Sequence, residues 1–181
     1  MTDDHQQVLD TLEIAASPQR VWELVTDITL MPELSRELIG VQWAEGSSGP
    51  ALGAQFLGRN RNPVIGEWAT VSTAVAFDAC ERFGWAVGDA ASPAATWTFE
   101  LTPIADGTRL SYTARLGPGP SGVTMLIARE PHRAAEITDR RLAQWRTGMA
   151  APGPFLRRPG GHPPGAGGPE CAFSATPRGI A

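Results

Sequence analysis

The side chains that could move a proton or bind the polar end of a small molecule are few and scattered. Asn60 and Tyr112 lie in segments that read as strands, and Glu67 lies just before one. Thr138 lies at helical spacing among apolar residues, where a purely structural helix would favour leucine. None of these residues forms a spaced acid/base pair, which general acid/base catalysis would need. Arg59 and Glu67 are predicted to be surface partners across a hairpin. The pattern of Asn60, Tyr112 and Thr138 favours hydrogen bonding to a ligand over proton transfer.

Metal and nucleophilic chemistry find little support in the sequence. His5, His132 and His162 are far apart and lack the spacing of metal ligands, so we expect no metal and no cofactor. The chain contains no nucleophile elbow, no P-loop and no dinucleotide fingerprint. Cys80 and Cys171 form no C-x-x-C pair, and two thiols in a chain of this size fit a reducing compartment.

The charge and the apolar runs exclude several classes of partner. The 181 residues carry a net charge of -4, which argues against a nucleic-acid surface. No apolar run approaches the ~18 residues that a membrane span needs, so we expect no stable membrane insertion. The first seven residues are polar and acidic, unlike a signal peptide. These observations predict a cytoplasmic protein.

The first 116 residues read mainly as strands. Gln6 to Ala16 alternates apolar and polar residues, and Ser17-Pro18 then predicts the start of a short helix, with a second helical piece after Pro32. Six further strands are predicted at 39–43, 53–62, 68–77, 83–87, 96–102 and 109–116, and Asp106-Gly107 has the composition of a hairpin turn. In the strand over 68–77, Val71, Thr73, Val75 and Phe77 share one parity, which predicts that they form its apolar face.

A long amphipathic helix is predicted from Ser121 to Met149. Its apolar stripe carries Ile127, Pro131, Ala134, Thr138, Leu142, Trp145 and Met149. Pro131 removes a backbone donor and should kink the helix, and Gly148 and Pro152 should end it. Thr138 serves either as a polar contact in the stripe or only as a donor to the carbonyl of Ala134.

Three regions follow from these patterns. Residues 1–5 are predicted to be a flexible leader, 6–150 a single domain and 151–181 a disordered tail, in which 7 of 31 residues are Gly and 7 are Pro. Sequential strands with short turns should pair antiparallel, and the long helix is the element large enough to cover their apolar side. The predicted fold class is α+β, with a curved antiparallel sheet of about seven strands wrapped around a long C-terminal helix and two short helices after the first strand.

Several stretches of the chain resemble the START-like, helix-grip superfamily, in particular its polyketide cyclase/dehydrase and lipid-transport (SRPBCC) branch. The residues that carry the resemblance are 16–27 with Pro32 and Glu33, 53–60, Trp68 and Val75, 82–85, and Arg140 to Leu142 with Trp145. It covers about residues 6 to 149. Members of this superfamily share a pocket rather than a reaction, and they usually continue the terminal helix where Gly148 and Pro152 end it here.

The resemblance implies a cavity between the sheet and the C-terminal helix that binds a small apolar molecule, such as a lipid, an isoprenoid or a polyketide. The residues expected to contact this ligand are Phe56, Asn60, Trp85, Trp97, Phe99, Tyr112, Ile127, Thr138 and Trp145. The same aromatic side chains could instead fill a solid core. Two alternatives stay open: a polyketide cyclase/dehydratase acting by general acid/base chemistry in this cavity, and a co-chaperone-like module that binds a protein partner.

Overall fold

The predicted α+β fold is confirmed by the computed structural model, which describes residues 6–63, 66–149, 153–157, 159–161 and 171. Seven antiparallel strands form one curved sheet in the order β1-β7-β6-β5-β4-β3-β2. The strands are β1 (Gln7–Ile14), β2 (Leu38–Trp43), β3 (Gln55–Asn62), β4 (Gly66–Asp78), β5 (Arg82–Val87), β6 (Ala95–Ile104) and β7 (Gly107–Leu116). Strands β1 and β2 are therefore the two edges of the sheet.

Helical segments follow the first strand and the last strand. After β1 come α1 (Pro18–Thr26) and a 3₁₀ helix (Ile28–Leu34); after β7 come α2 (Gly122–Arg129), a 3₁₀ turn (Pro131–Arg133), α3 (Ala134–Met149), α4 (Pro154–Arg157) and a second 3₁₀ turn (Pro159–Gly161). The start predicted for α1 is confirmed, since the Ser17 hydroxyl accepts a hydrogen bond from the Arg20 backbone N–H and Pro18 is the first helical residue.

The hairpin predicted at Asp106-Gly107 joins β6 to β7. Gly107 has a φ of 150°, and a Cβ atom there would lie 2.1 Å from the carbonyl oxygen of Ile14. A side chain would therefore collide with the backbone just after β1. Only glycine allows β7 to begin so close to the end of β1.

The apolar face predicted for β4 was wrong. Val71 and Val75 are 43% and 45% exposed, whereas Ser72 and Ala74 are buried. The register with β5 shifts between Ala74 and Ala76, so β4 contains a bulge, and beyond it Phe77 packs on the core again. A bulge inserts one residue and changes which parity faces inward, so a simple alternation cannot hold along the whole strand.

The single helix predicted over 121–149 is two helices. The backbone of Glu130 (φ -131°, ψ 64°) leaves the helical region immediately before Pro131, and α2 ends there. This interruption at Pro131 follows from the steric restriction that proline places on the preceding residue. The apolar stripe is buried only at Leu142, Trp145 and Met149, on α3, whereas no residue of α2 is fully buried.

The C-terminal segment predicted to be disordered contains two short helical pieces where the structure describes it. Leu156, on α4, is only 4% exposed and packs in the main core cluster. The Arg20 guanidinium donates two hydrogen bonds to the carbonyl of Pro159, at 2.9 and 2.8 Å. Composition alone does not predict this packing, because a single leucine that packs in an existing core can fix a short segment against the domain. Residues 1–5 and most of 162–181 lie outside the described residues.

The two cysteines, expected to be separate thiols, form a disulfide between Cys80 and Cys171. The backbone N–H of Cys171 also donates to the Gln19 side-chain oxygen at 2.7 Å, next to α1. Disulfides persist mainly in oxidising environments, so the cytoplasmic location inferred from the thiols loses this support and stays a prediction. Within the described ranges, no helix has the length and apolar character to cross a bilayer.

An ion pair connects α3 to the far edge of the sheet. The Arg141 guanidinium donates to both carboxylate oxygens of Glu37, at 3.1 and 2.9 Å, and Asn62 donates to the same carboxylate at 2.9 Å. Burial acts to raise the pKa of Glu37, but the hydrogen bonds and charge of Arg141, with the bond from Asn62, leave this pKa below its ordinary value of 4.5. Folding therefore favours the ionised form of Glu37 over its protonated form.

The change Glu37→Gln should lower the free energy of unfolding by about 1–2 kcal/mol at neutral pH. Since the folded-state pKa is the lower one, the contribution of Glu37 is present above the unfolded pKa and is lost as the pH falls through the folded pKa. Urea unfolding at several pH values should show the two proteins converging in acid. Glu67→Gln, which breaks an exposed pair with Arg61, should cost less than about 1 kcal/mol. A Glu37→Gln deficit that persists unchanged in acid would contradict this assignment.

Candidate functional site

Aromatic side chains occupy most of the space between the sheet and the helices. Trp85 lies at the centre, with ring centroids 6.0 Å from Phe56, 5.6 Å from Phe83, 6.4 Å from Trp97 and 5.7 Å from Phe99. Such contacts are typical of packed aromatic cores. The large cavity implied by the family resemblance is therefore filled in its centre by aromatic rings.

A small cavity lies at one side of this core, at the C-terminal end of α3. It is bounded by the edge strand β1, by β6 and β7, and by α4. Its apolar lining is Leu12, Leu34, Phe99, Leu110, Met149 and Leu156, and the remaining lining residues are Asp10, Thr11, Tyr112 and Gly148. Its volume of about 20 Å³ is room for roughly one water molecule. It is mostly apolar with a few polar groups, as ligand sites are.

Tyr112 supplies the cavity with a hydrogen-bond donor. Its ring is stacked on Phe99 with centroids 4.5 Å apart, and no described residue hydrogen-bonds to its hydroxyl group. Burial raises the pKa of the Tyr112 hydroxyl well above its ordinary value of 10.0. The phenol therefore stays neutral at physiological pH, so it can donate a hydrogen bond but is a poor proton-transfer acid.

The aromatic residues predicted to contact a ligand fall into two groups. Phe99 and Tyr112 line the cavity, and Trp97 contacts Tyr112 with centroids 5.5 Å apart. Trp145, on α3, packs against Trp97 at 4.8 Å. The second group, Phe56 and Trp85, is buried in the core and is absent from the cavity lining. The ligand-binding roles of all these residues stay predictions.

The remaining predicted residues lie away from the cavity. Asn60 donates to the Thr70 hydroxyl at 3.3 Å, and Ile127 is half-buried on α2. Thr138 is half-buried, and the alternative in which it bonds to the Ala134 carbonyl is not observed among the described residues.

Arg59 and Glu67, predicted to pair across a hairpin, do not pair. Glu67 binds Arg61 instead, because the register between β3 and β4 places Arg61 opposite Glu67 and Arg59 opposite Ala69.

Sequence reasoning missed three of the residues that form the cavity: Asp10, Leu34 and Leu156. Asp10 lies on the same parity as Val8 and Ile14, which are buried, so a carboxylate interrupts the apolar face of β1. That interruption was visible in the alternation of the sequence. Leu34 and Leu156 have no comparable signal, since each comes from a short helical piece outside the sheet and the long helix.

The histidines do not contribute to this site. His132 is exposed in the 3₁₀ turn between α2 and α3, and His5 and His162 lie outside the described residues. In the part of the chain that the structure describes, no group of three or more His, Cys, Asp or Glu side chains is arranged to hold a metal ion.

Comparison with known proteins adds the family context. The family model described as polyketide cyclase / dehydrase and lipid transport matches residues 5–150. A polyketide-cyclase-like protein of Corynebacterium glutamicum, solved by solution NMR, is 29% identical with a TM-score of 0.59, over 86% of this chain and 93% of that chain. A crystal structure of a protein from Deinococcus radiodurans is 14% identical with a TM-score of 0.51, over 80% and 98% of the two chains, which is a likeness of fold alone. No curated protein matches the chain.

Proposed function

Since this chain belongs to the polyketide cyclase/dehydrase and lipid transport family, we propose that it binds a small apolar molecule at the cavity beside β1, β7 and α4. The observation that carries this proposal is a mostly apolar cavity lining that includes Tyr112, whose hydroxyl is hydrogen-bonded by no described residue. This hydroxyl is accessible to solvent, because Trp22 Nε1 is the one buried side-chain polar atom without a partner among the described residues. A ligand oxygen would therefore replace water as the hydrogen-bond partner of Tyr112. The ligand classes that fit are lipids, isoprenoids and polyketides.

Binding of anything larger than water requires the cavity to widen. The side chains able to withdraw are Met149, at the last turn of α3, and Leu156, on the four-residue α4. The aromatic residues on β5 and β6 are held on both sides by neighbouring rings and strands, so they are less free to move. We infer that displacement of Leu156 opens the site, with the aromatic core as its fixed wall.

Replacing Leu156 with alanine should strengthen the binding of an uncharged apolar dye such as Nile red by at least about tenfold. The ligand then no longer has to displace three side-chain carbons, each worth about 0.8 kcal/mol of apolar burial, and about 1.4 kcal/mol is tenfold in affinity. Fluorescence titration measures the change. The control Leu126→Ala removes the same atoms from α2, where Leu126 is 47% exposed, and should leave the affinity unchanged.

A direct search for the natural ligand complements the titration. The protein is purified without detergent, denatured and extracted, and the extract is examined by mass spectrometry for apolar small molecules. If neither the wild type nor Leu156→Ala binds any apolar dye, although both are folded by circular dichroism, the proposed binding function is rejected.

Cyclisation of a polyketide by general acid/base chemistry is the second candidate. The feature in its favour is Asp10, a carboxylate paired in register with Tyr112 at the cavity. The raised pKa of Tyr112 argues for hydrogen bonding rather than proton transfer, so binding ranks first. A cyclase would convert a polyketone substrate analogue, and it would lose that turnover on Asp10→Asn while still binding the substrate. The co-chaperone-like alternative stays a prediction.

A further inference from the structure

The edge strand β1 carries one exposed carboxylate, that of Asp10, at a position with the parity of its buried residues. Val8, Asp10, Leu12 and Ile14 share a parity, and of these Val8 and Ile14 are buried while Leu12 packs against the core. In the antiparallel register, Asp10 is directly opposite Tyr112 on β7. Opposed side chains on one face have Cβ atoms about 4.5–5.5 Å apart, so Asp10 and Tyr112 are cross-strand neighbours, and both line the cavity.

The hydrogen-bonding capacity of this pair is largely unused. Asp10 accepts one hydrogen bond, from the backbone N–H of Thr11 at 2.8 Å. Among the described residues, no basic side chain forms an ion pair with Asp10 and none hydrogen-bonds to the Tyr112 hydroxyl. An ionised carboxylate has about four acceptor positions, and a phenol has one donor. The pair therefore offers one donor and several acceptors to a group that enters the cavity.

We propose that Asp10 and Tyr112 form the polar end of the ligand site and select apolar molecules that carry a neutral hydroxyl group. This proposal rests on the proposed binding function and names its ligand class. A hydroxyl group suits the pair because it donates to the Asp10 carboxylate and accepts from the Tyr112 phenol at the same time.

The same pair disfavours the two charged alternatives. The carboxylate of a fatty acid accepts from Tyr112 but places a second negative charge beside Asp10, which is unfavourable even near the surface. A protonated amine attracts Asp10 but has no acceptor for the Tyr112 hydroxyl, which would then stay unsatisfied. The site is thus expected to separate alcohols from acids of equal chain length.

Competition of decanol, decanoate and decylamine against bound Nile red at neutral pH tests the selectivity. In the wild type, decanol should bind at least about tenfold more tightly than decanoate, and more tightly than decylamine. Asp10→Asn should narrow the difference between decanol and decanoate to about threefold or less, chiefly by improving decanoate binding. Tyr112→Phe should weaken decanol binding by about threefold to tenfold, the range expected for one hydrogen bond.

The matched control is Glu13→Gln, on the same strand. Glu13 has the opposite parity and pairs with Arg109 at 2.9 Å on the exposed face, so its neutralisation changes the net charge by the same amount as Asp10→Asn. It should leave the selectivity for decanol unchanged.

The two levels of the proposal fail in different ways. Equal binding of decanol and decanoate by the wild type, or unchanged selectivity in Asp10→Asn, overturns the hydroxyl selection while apolar binding stands. The same holds if Glu13→Gln reproduces the effect of Asp10→Asn, since selection would then follow the net charge. Failure of all three compounds and of Nile red to bind overturns both the selection and the proposed function. Circular dichroism of each variant shows that the compared proteins are folded.

Discussion

Replacing Trp145 with alanine lowers the free energy of unfolding by an expected 3–5 kcal/mol or so, the range typical of large aromatic residues in protein cores. Trp145 is 9% exposed, and its ring contacts Trp97 with centroids 4.8 Å apart. The Arg141 guanidinium lies 5.2 Å over the same ring, while it also binds Glu37. Loss of the indole therefore removes apolar burial, and it also removes the ring on which Arg141 lies while it pairs with Glu37. Urea unfolding followed by circular dichroism measures the effect.

The adjacent position supplies the control for Trp145. Arg146 is exposed on the same turn of α3, so Arg146→Ala keeps the helix and changes only its solvent face. Its effect should stay within about 0.5 kcal/mol, as is usual for surface positions. A loss below about 1 kcal/mol for Trp145→Ala would contradict its role in the core and would indicate that the ring faces solvent or open space.

Removal of the disulfide through Cys171→Ser should destabilise the domain by about 2–5 kcal/mol. The bond joins residues 91 positions apart in the sequence, and a long closed loop restricts the unfolded chain strongly. Cys171 is the better site to change, because Cys80 is buried and has a left-handed backbone (φ 62°) in the turn before β5. Thermal unfolding of the wild type and the variant measures the difference.

A phosphine reductant provides the internal control. It transfers two electrons to the disulfide, takes up the oxygen of water and leaves two thiols. Reduction should lower the stability of the wild type to about that of Cys171→Ser and should leave the variant unchanged. If thiol titration of the untreated wild type finds two free thiols, or if reduction has no effect, the covalent link does not contribute to stability.

The architecture could be predicted from sequence because it depends on local signals that tertiary contacts reinforce. The Ser17-Pro18 start of α1 and the Asp106-Gly107 hairpin are of this kind. The inward-facing residues of β4 could not be predicted from sequence. The bulge between Ala74 and Ala76 depends on pairing with β5 and has no local signature. The sequence predicts a kink at Pro131, where the structure has a break. The low burial of α2 could not be predicted, because it depends on which surface of the domain α2 packs against.

The candidate site was only partly accessible to sequence reasoning. Phe99 and Tyr112 were identified because they alternate cleanly on neighbouring strands, and both line the cavity. Asp10 could have been identified from its parity on β1. Leu156 could not be identified from sequence, because it lies in a segment whose Gly/Pro-rich composition is typical of disorder. The residues that hold this segment, Arg20 and Cys80, are distant in sequence.

The interruption at Pro131 also divides the C-terminal region into parts of unequal local stability. Leu142, Trp145 and Met149 attach α3 to the core, so breaking its hydrogen bonds requires much of the domain to open. Helix α2 has no fully buried residue, and Met125 and Leu126 are exposed on it. Because local unfolding is least costly where few apolar contacts are lost, α2 can fray and re-form while α3 stays in place. Its amide protons then exchange with solvent through small local openings, on a shorter timescale than those of α3.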